Sequence, residues 1–167
     1  KGAGEYAAAT WPGEEVEEII LDYASIASLV DRADAIEAQM LAANPNVKVM
    51  ERLIGGLPEN GVTSCETALQ KYPDLRLVGG INDGGNLGCL QALKAASRTA
   101  DQTAIFGIDC DPQAVTEIDS GTSNYKGCVN TNPVATGEIP VHVFNRLLAG
   151  EAVPGLVEVP VLVYSRS

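Results

Sequence analysis

Residues Leu75–Ala96, LRLVGGINDGGNLGCLQALKAA, decide how the rest of the chain is read. LRLVGGI is an apolar, β-leaning run that ends at once in Asn-Asp-Gly-Gly, after which Leu87, Leu90 and Leu93 recur at helical spacing. A buried strand, a polar tip with two glycines and an amphipathic helix form the unit of a parallel α/β sheet. In such sheets ligands are met beyond the carboxyl ends of the strands. Asn82 offers an amide donor and acceptor there, and Asp83 a carboxylate acceptor. Asp83 reads equally well as a plain helix cap.

The flanking sequence repeats the unit. Residues 2–10 read as a helix ended by Trp11-Pro12-Gly13, and Val16–Asp22 as the first strand. Ser28 with Asp31 three residues on reads as a capped helix start, running to about Ala43. Val47–Leu53 is a second strand before Gly55-Gly56, and Gly61–Tyr72 a helix. Thr103–Ile108 is a strand ending in Asp109-Cys110-Asp111-Pro112, where Pro112 suits the first helical position and Asp111 its cap. That helix stops at Gly121, Tyr125–Asn130 is a fifth strand, and a helix covers about Val134–Ala149 with Pro140 inside it. Val153–Tyr164 is extended, confined to an edge or crossing strand by Pro154 and Pro160. Alternation at this spacing predicts a mostly parallel sheet with helices on both faces.

Composition bounds the function. The 167 residues are 46% hydrophobic with a formal charge of −11, which suits one globular domain and argues against nucleic-acid or anionic-membrane binding through this segment. The chain opens Lys-Gly-Ala-Gly without an initiator Met or a signal pattern, so a mature or excised segment is expected. The four cysteines form no Cys-x-x-Cys pair and His142 is the only histidine, a poor basis for a zinc site. Cys65 and Cys89 fall within helices, where free thiols acting as small hydrophobes are expected. Cys110 and Cys128 lie near two late strands and can pair. His142, among Val141, Val143 and Phe144, reads as a packing residue. No Gly-x-Ser-x-Gly elbow or phosphate-binding Gly-x-x-x-x-Gly-Lys is present, so catalytic residues, a metal and a cofactor are all predicted to be none.

Every strand-to-helix junction is polar or glycine-rich: Asp22-Tyr23, Gly55-Gly56, Asn82-Asp83, Asp109 and Thr131-Asn132. On one edge of a parallel sheet they make a rim of carboxylate, amide and hydroxyl groups, with Tyr23 as the aromatic. Such a rim suits a neutral sugar or polyol. The competing reading is a set of independent helix caps.

The order of these tips resembles the type I periplasmic solute-binding proteins, the ribose-binding-protein-like family that also supplies effector domains of lactose-repressor-type regulators. The resemblance rests on Ile81-Asn82-Asp83 before a Leu-rich helix, Phe106-Gly107-Ile108-Asp109, Val129-Asn130-Thr131-Asn132-Pro133 and Leu147-Leu148-Ala149-Gly150-Glu151. It implies a three-layer α/β/α, flavodoxin-like lobe over residues 1–131. Residues 132–167 then form a crossing segment, helix and terminal strand that complete or contact the other lobe. It carries Asn82 and Asp109 over as ligand hydrogen-bonding residues, with Thr131 in a slot often held by Gln, beside Asp83, Tyr23 and Gly56. The arginine usual near Ser28–Arg32 is displaced here by about two positions, leaving Val30 in its slot. Near Gly56 the family often has an aromatic. The implied role is non-catalytic delivery of a small polar solute to an ABC importer permease, in the periplasm or at the cell surface. The alternatives are an effector domain of a repressor or membrane sensor, and a small flavodoxin-like enzyme. The apolar side of helix 134–149 is expected to self-associate or dock.

Overall fold

The computed structural model describes residues 2–166. Helix α1 (Gly2–Thr10) leads into β1 (Val16–Asp22), α2 (Ala27–Ala43), β2 (Val47–Ile54), α3 (Pro58–Lys71), β3 (Leu77–Gly80) and α4 (Asp83–Ala95). Then follow β4 (Ala104–Ile108), α5 (Pro112–Ser120), β5 (Tyr125–Asn130), α6 (Pro133–Leu148) and β6 (Leu162–Ser165). The strands form one sheet in the order β2-β1-β3-β4-β5-β6. All neighbours run parallel except β6, which pairs antiparallel with β5. The chain winds outward to β2, returns over β1 to β3 and continues the other way, so the order reverses at the β1–β3 boundary.

Two apolar layers flank the sheet. Ala3, Ala7, Trp11 and Met40 of the α1/α2 side pack with Val16, Val47, Leu77 and Ala104. On the opposite face Cys65, Ala68, Leu87, Leu90, Leu93, Ala114 and Ile118 of α3, α4 and α5 close over Ile19, Val78, Ile105, Tyr125 and Cys128. Strand β3 is buried along its whole length, as a central parallel strand must be. Between β4 and β5 the register slips: Ile105 faces Tyr125, but Phe106 faces Gly127. The extra residue, Lys126, brings Tyr125 and Cys128 onto the same face despite their odd spacing.

Helices α3 and α4 touch through glycines. A Cβ on Gly61 would stand 1.9 Å from the Gly85 carbonyl oxygen, and one on Gly88 would stand 2.0 Å from that of Pro58. This closeness corrects the expectation for Cys65 and Cys89. They are disulfide-bonded: backbone-to-backbone packing brings their Cα atoms to 5.2 Å, within the span a disulfide bridges. Cys110 and Cys128 form the second bond.

Three further expectations change. Ser28 lies inside α2, whose N-cap is Ile26 without a side-chain cap, and Asp111 caps α5 by position but makes no capping hydrogen bond. The extended C-terminal segment keeps the expected edge position, with its regular strand limited to β6, paired antiparallel with β5. His142 is exposed, since α6 buries no residue at all. Val141, Phe144 and Leu148 project outward, with Leu148 71% exposed.

One buried charge stands out. Glu18 on β1 is fully buried and both its carboxylate oxygens lack a hydrogen-bond partner. Burial, reinforced by Glu37, pushes its carboxyl well above the usual range. The fold therefore tolerates the protonated form best. Its contribution to stability is complete below the unfolded carboxylate pKa and is lost as pH rises through the raised folded value. We expect Glu18→Gln to raise stability near neutral pH by about 1–3 kcal/mol. That gain should vanish on acidification, and a pH-independent difference in thermal melting would count against it. Gly88→Ala should have the opposite sign. Alanine's helix preference adds about 1 kcal/mol, but a methyl driven into the Pro58 backbone costs about 3 kcal/mol. A lowered urea midpoint is expected, and an unchanged one would refute the close contact.

Candidate functional site

The carboxyl ends of β1 to β5 bring the sequence-derived residues to one edge of the sheet. At the reversal point the tips of β1, β2 and β3 are packed together by glycine. Gly55 N–H donates to the Asp22 carbonyl at 2.6 Å, and a Cβ on Gly85 would lie 2.8 Å from Gly56 N. Gly56 takes a left-handed φ of +80°, which suits glycine. Its carbonyl accepts a hydrogen bond from Asn82 Nδ2 at 2.9 Å, while Asn82 Oδ1 accepts from Gly85 N at 3.1 Å as the cap of α4. Asn82 is thus both cap and rim residue: each polar atom makes one bond within the fold and retains capacity for another.

Tyr23 is half-buried, and a Cβ on Gly56 would come within 2.8 Å of its ring. At this lip the aromatic surface comes from the β1 tip, laid against a glycine on the neighbouring loop. Asp22 beneath it is nearly buried; its carboxylate accepts from Tyr23 N at 2.6 Å and lies 3.9 Å from Arg52. Arg52 also pairs with Asp34 and Glu37 of α2, each at 2.6 Å, tying that helix to β2.

Arg32 is the residue that sequence reasoning undervalued. Its guanidinium donates to the Ile81 carbonyl at 3.2 Å and approaches Asp109 Oδ1 at 3.8 Å, spanning the ends of β3 and β4. The displacement along α2 leaves its head at the rim, because a long side chain reaches where a shifted Cα does not. Arg32 and Asp109 are 39% and 35% exposed, so both can meet a ligand. Burial raises the Asp109 carboxyl above the ordinary range, opposed by Arg32 and reinforced by Asp111. Thr131 stands half-buried just past β5, next to the β4 tip, with its carbonyl accepting from Thr136 Oγ1.

Asp83 is placed differently from its neighbours. It is fully buried; one carboxylate oxygen accepts from the Tyr125 hydroxyl and the other from Asp111 N at 2.6 Å. Asn86 completes the group, donating to the Phe106 carbonyl at 3.0 Å and lying 3.3 Å from the Tyr125 oxygen. Burial raises Asp83, while the bonds from Tyr125 and Asp111 work the other way. Asp83 therefore supports the rim from beneath, and the sequence could not separate it from Asn82 one position earlier.

A cavity of about 430 Å³ lies on the α1 face of β4–β6, walled by Tyr6, Met40, Phe106 and Val163. Its walls are mostly apolar, whereas the convergent polar groups sit at the strand tips. We place the candidate site at the tips on that chemistry. Among the described residues no cluster of three His, Cys, Asp or Glu is arranged to hold a metal ion.

A parallel α/β lobe that gathers amide, carboxylate, guanidinium and aromatic groups at the carboxyl ends of its strands has them where open α/β sheets meet their ligands. Residues 1–152 match the family model described as periplasmic binding protein domain, and the chain belongs to that family. Among solved structures, an ABC transporter solute-binding protein from Mycobacterium smegmatis with bound glycerol is 27% identical with a TM-score of 0.79, over 98% of this chain and 56% of that one. A glucose-galactose binding protein from Geobacillus stearothermophilus superposes with a TM-score of 0.85 at 19% identity, over 98% of this chain and 57% of its own. A periplasmic solute-binding protein from Actinobacillus succinogenes with bound D-allose gives 0.83 at 15% identity, over 96% and 56%. The chain thus spans little more than half the length of the structures it matches. A comparison with curated proteins finds no match.

Proposed function

We propose that this chain is one wall of a receptor for a small polyhydroxylated solute, a sugar or polyol. In this reading it is the substrate-binding component of an ABC importer, working in the periplasm or at the cell surface without catalysing a reaction. The observation that carries it is the Arg32–Asp109 pair bridging two strand tips beside Asn82. A carboxylate takes hydroxyl donors, a guanidinium gives to hydroxyl or ring oxygens, and an amide does both, which is the complement of a sugar edge. Glycerol and D-allose in two structural relatives agree with that chemistry. Two disulfides fit an oxidising compartment.

The second wall must come from elsewhere in the protein, and α6 marks where it meets this one. With Val141, Phe144, Leu147 and Leu148 all more than half exposed, that helix carries an apolar interface left uncovered among the described residues. The chain expressed alone should self-associate through it. A monomer in sedimentation at micromolar concentration would contradict this.

Asp109→Ala in the full-length protein should weaken binding severely while leaving the fold intact. Hydrogen bonds to a charged group contribute about 1.5–3 kcal/mol each, so loss of one or two predicts a fall on the order of a hundredfold. Thermal-shift screening against sugars, polyols and nucleosides identifies the ligand, and calorimetry on the variant then decides. Unchanged affinity would remove Asp109 from the site.

A further inference from the structure

Asp109 stands on an unusual support. It and Cys110 both have positive φ, +109° and +59°, in consecutive non-glycine residues. Such conformations persist only where the surroundings fix them. Pro112 adds to the demand, because the residue before a proline is pressed into extended backbone, so the chain must turn at 109–110 and nowhere later. Asp111 indeed has ψ of 150°.

Three links hold that turn. Asp109 N donates to the Val129 carbonyl at 2.8 Å. Asp111 N donates to Asp83 Oδ2, whose other oxygen is held by Tyr125. Between them, Cys110 is bonded to Cys128 on the neighbouring strand. Asp83 and Tyr125 are inaccessible, but Cys110 is half-buried, whereas Cys65 and Cys89 are fully buried. Cys128 is buried, so a thiol in solution reaches this bond from the Cys110 side, whereas the Cys65–Cys89 bond is closed on both sides.

We infer that the Cys110–Cys128 disulfide, seated on the buried Asp83–Tyr125 pair, is a positioning clasp for Asp109, and that its reduction loosens the β4 tip and weakens ligand binding. In the step itself a dithiol donor attacks the disulfide. The bond between Cys110 Sγ and Cys128 Sγ breaks, and the donor's two sulfurs become bonded to each other. Two electrons pass to the cysteines, and the two protons given up by the donor end on their thiols. Freed of the cross-link, the turn relaxes from its left-handed conformations. Asp109 then no longer faces Arg32 in a fixed geometry.

The affinity part of this inference rests on the proposed sugar-binding role; the conformational part does not. Both are read in the full-length protein, oxidised and after mild treatment with dithiothreitol, with cysteine alkylation mapping which bond has opened. Amide hydrogen exchange at Asp109 and Asp111 should quicken at least about tenfold on opening Cys110–Cys128, while β1 and β3 stay protected. Affinity for D-allose, D-glucose or glycerol, whichever binds, should fall about tenfold, or about 1.4 kcal/mol. The double variant Cys110→Ser, Cys128→Ser should behave like the reduced protein without any reductant. Unchanged exchange at the two amides would overturn the clasp. Exchange rising across the whole lobe would overturn it too, since the bond would then be merely structural. If the oxidised protein binds none of the three probes, the proposed function falls, and the amide exchange still decides the clasp.

Discussion

The lobe depends on how closely its strand tips approach one another, and that approach is set by hydrogen atoms where side chains would otherwise stand. Gly55 lies against Leu21, Gly56 against Tyr23, and Gly85 against the Gly55–Gly56 backbone. With no Cβ in these places, the β2 loop folds down onto the start of α4. Only then does the Gly56 carbonyl come within reach of Asn82 Nδ2. The same economy runs down the helices, where Gly61 and Gly88 let α3 and α4 meet backbone to backbone and bring Cys65 to Cys89. Glycine interiors cost conformational entropy in each helix. Here the cost is offset by buried contact on both sides and by a cross-link.

A second set of glycines does a different task. A Cβ on Gly80 would run into Asn86, and one on Gly107 would run into the Tyr125 hydroxyl and the Asp83 carboxylate. The space these glycines leave is filled by polar groups, and the Asp83 carboxylate, held by the Tyr125 hydroxyl and Asp111 N, sits fully buried beneath the rim. Burial drives the Asp83 carboxyl and the Tyr125 hydroxyl upward, and their mutual bond holds both in place. Such a network has one arrangement or none. It fixes where the β4 tip can lie, and so where Asp109 faces.

Much of this was legible in the residues. Period and punctuation located every element, because apolar runs of strand length ended in Asp, Asn or Gly pairs and the helices kept their spacing. The rim followed from the same pattern, since parallel strands put all such junctions on one edge. What stayed hidden has physical causes. Asn82 and Asp83 are adjacent and chemically alike, yet one is half-exposed and the other buried, a distinction made by Tyr125 from forty-two positions away. The slipped register at Lys126 leaves no mark in a two-residue alternation, so the shared face of Tyr125 and Cys128 was not visible. Arg32 was undervalued because a slot in a pattern locates a Cα, whereas a guanidinium acts several bonds further out. The turn at Asp109 and Cys110 did leave a trace, in the proline that forbids it any later place.

In the proposed receptor the exposure of the rim and the exposure of α6 have one cause. A hydrogen bond to a sugar hydroxyl made on an open face replaces one made to water, and the net gain is small. Half-exposed Arg32 and Asp109 therefore cannot hold a neutral solute tightly alone, however well they are aimed. Affinity needs a second surface that removes water from the same groups, strengthening each contact by lowering the dielectric around it. A helix that leaves the sheet beside Thr131, buries nothing and carries an apolar stripe is a means of attaching such a surface at the very edge where the polar groups converge. In the chain α6 starts two residues after Thr131, the last of the rim residues. In the proposed receptor this sets the joint between the lobes beside the binding face, so that a solute bridging both walls draws them together by movement at that joint.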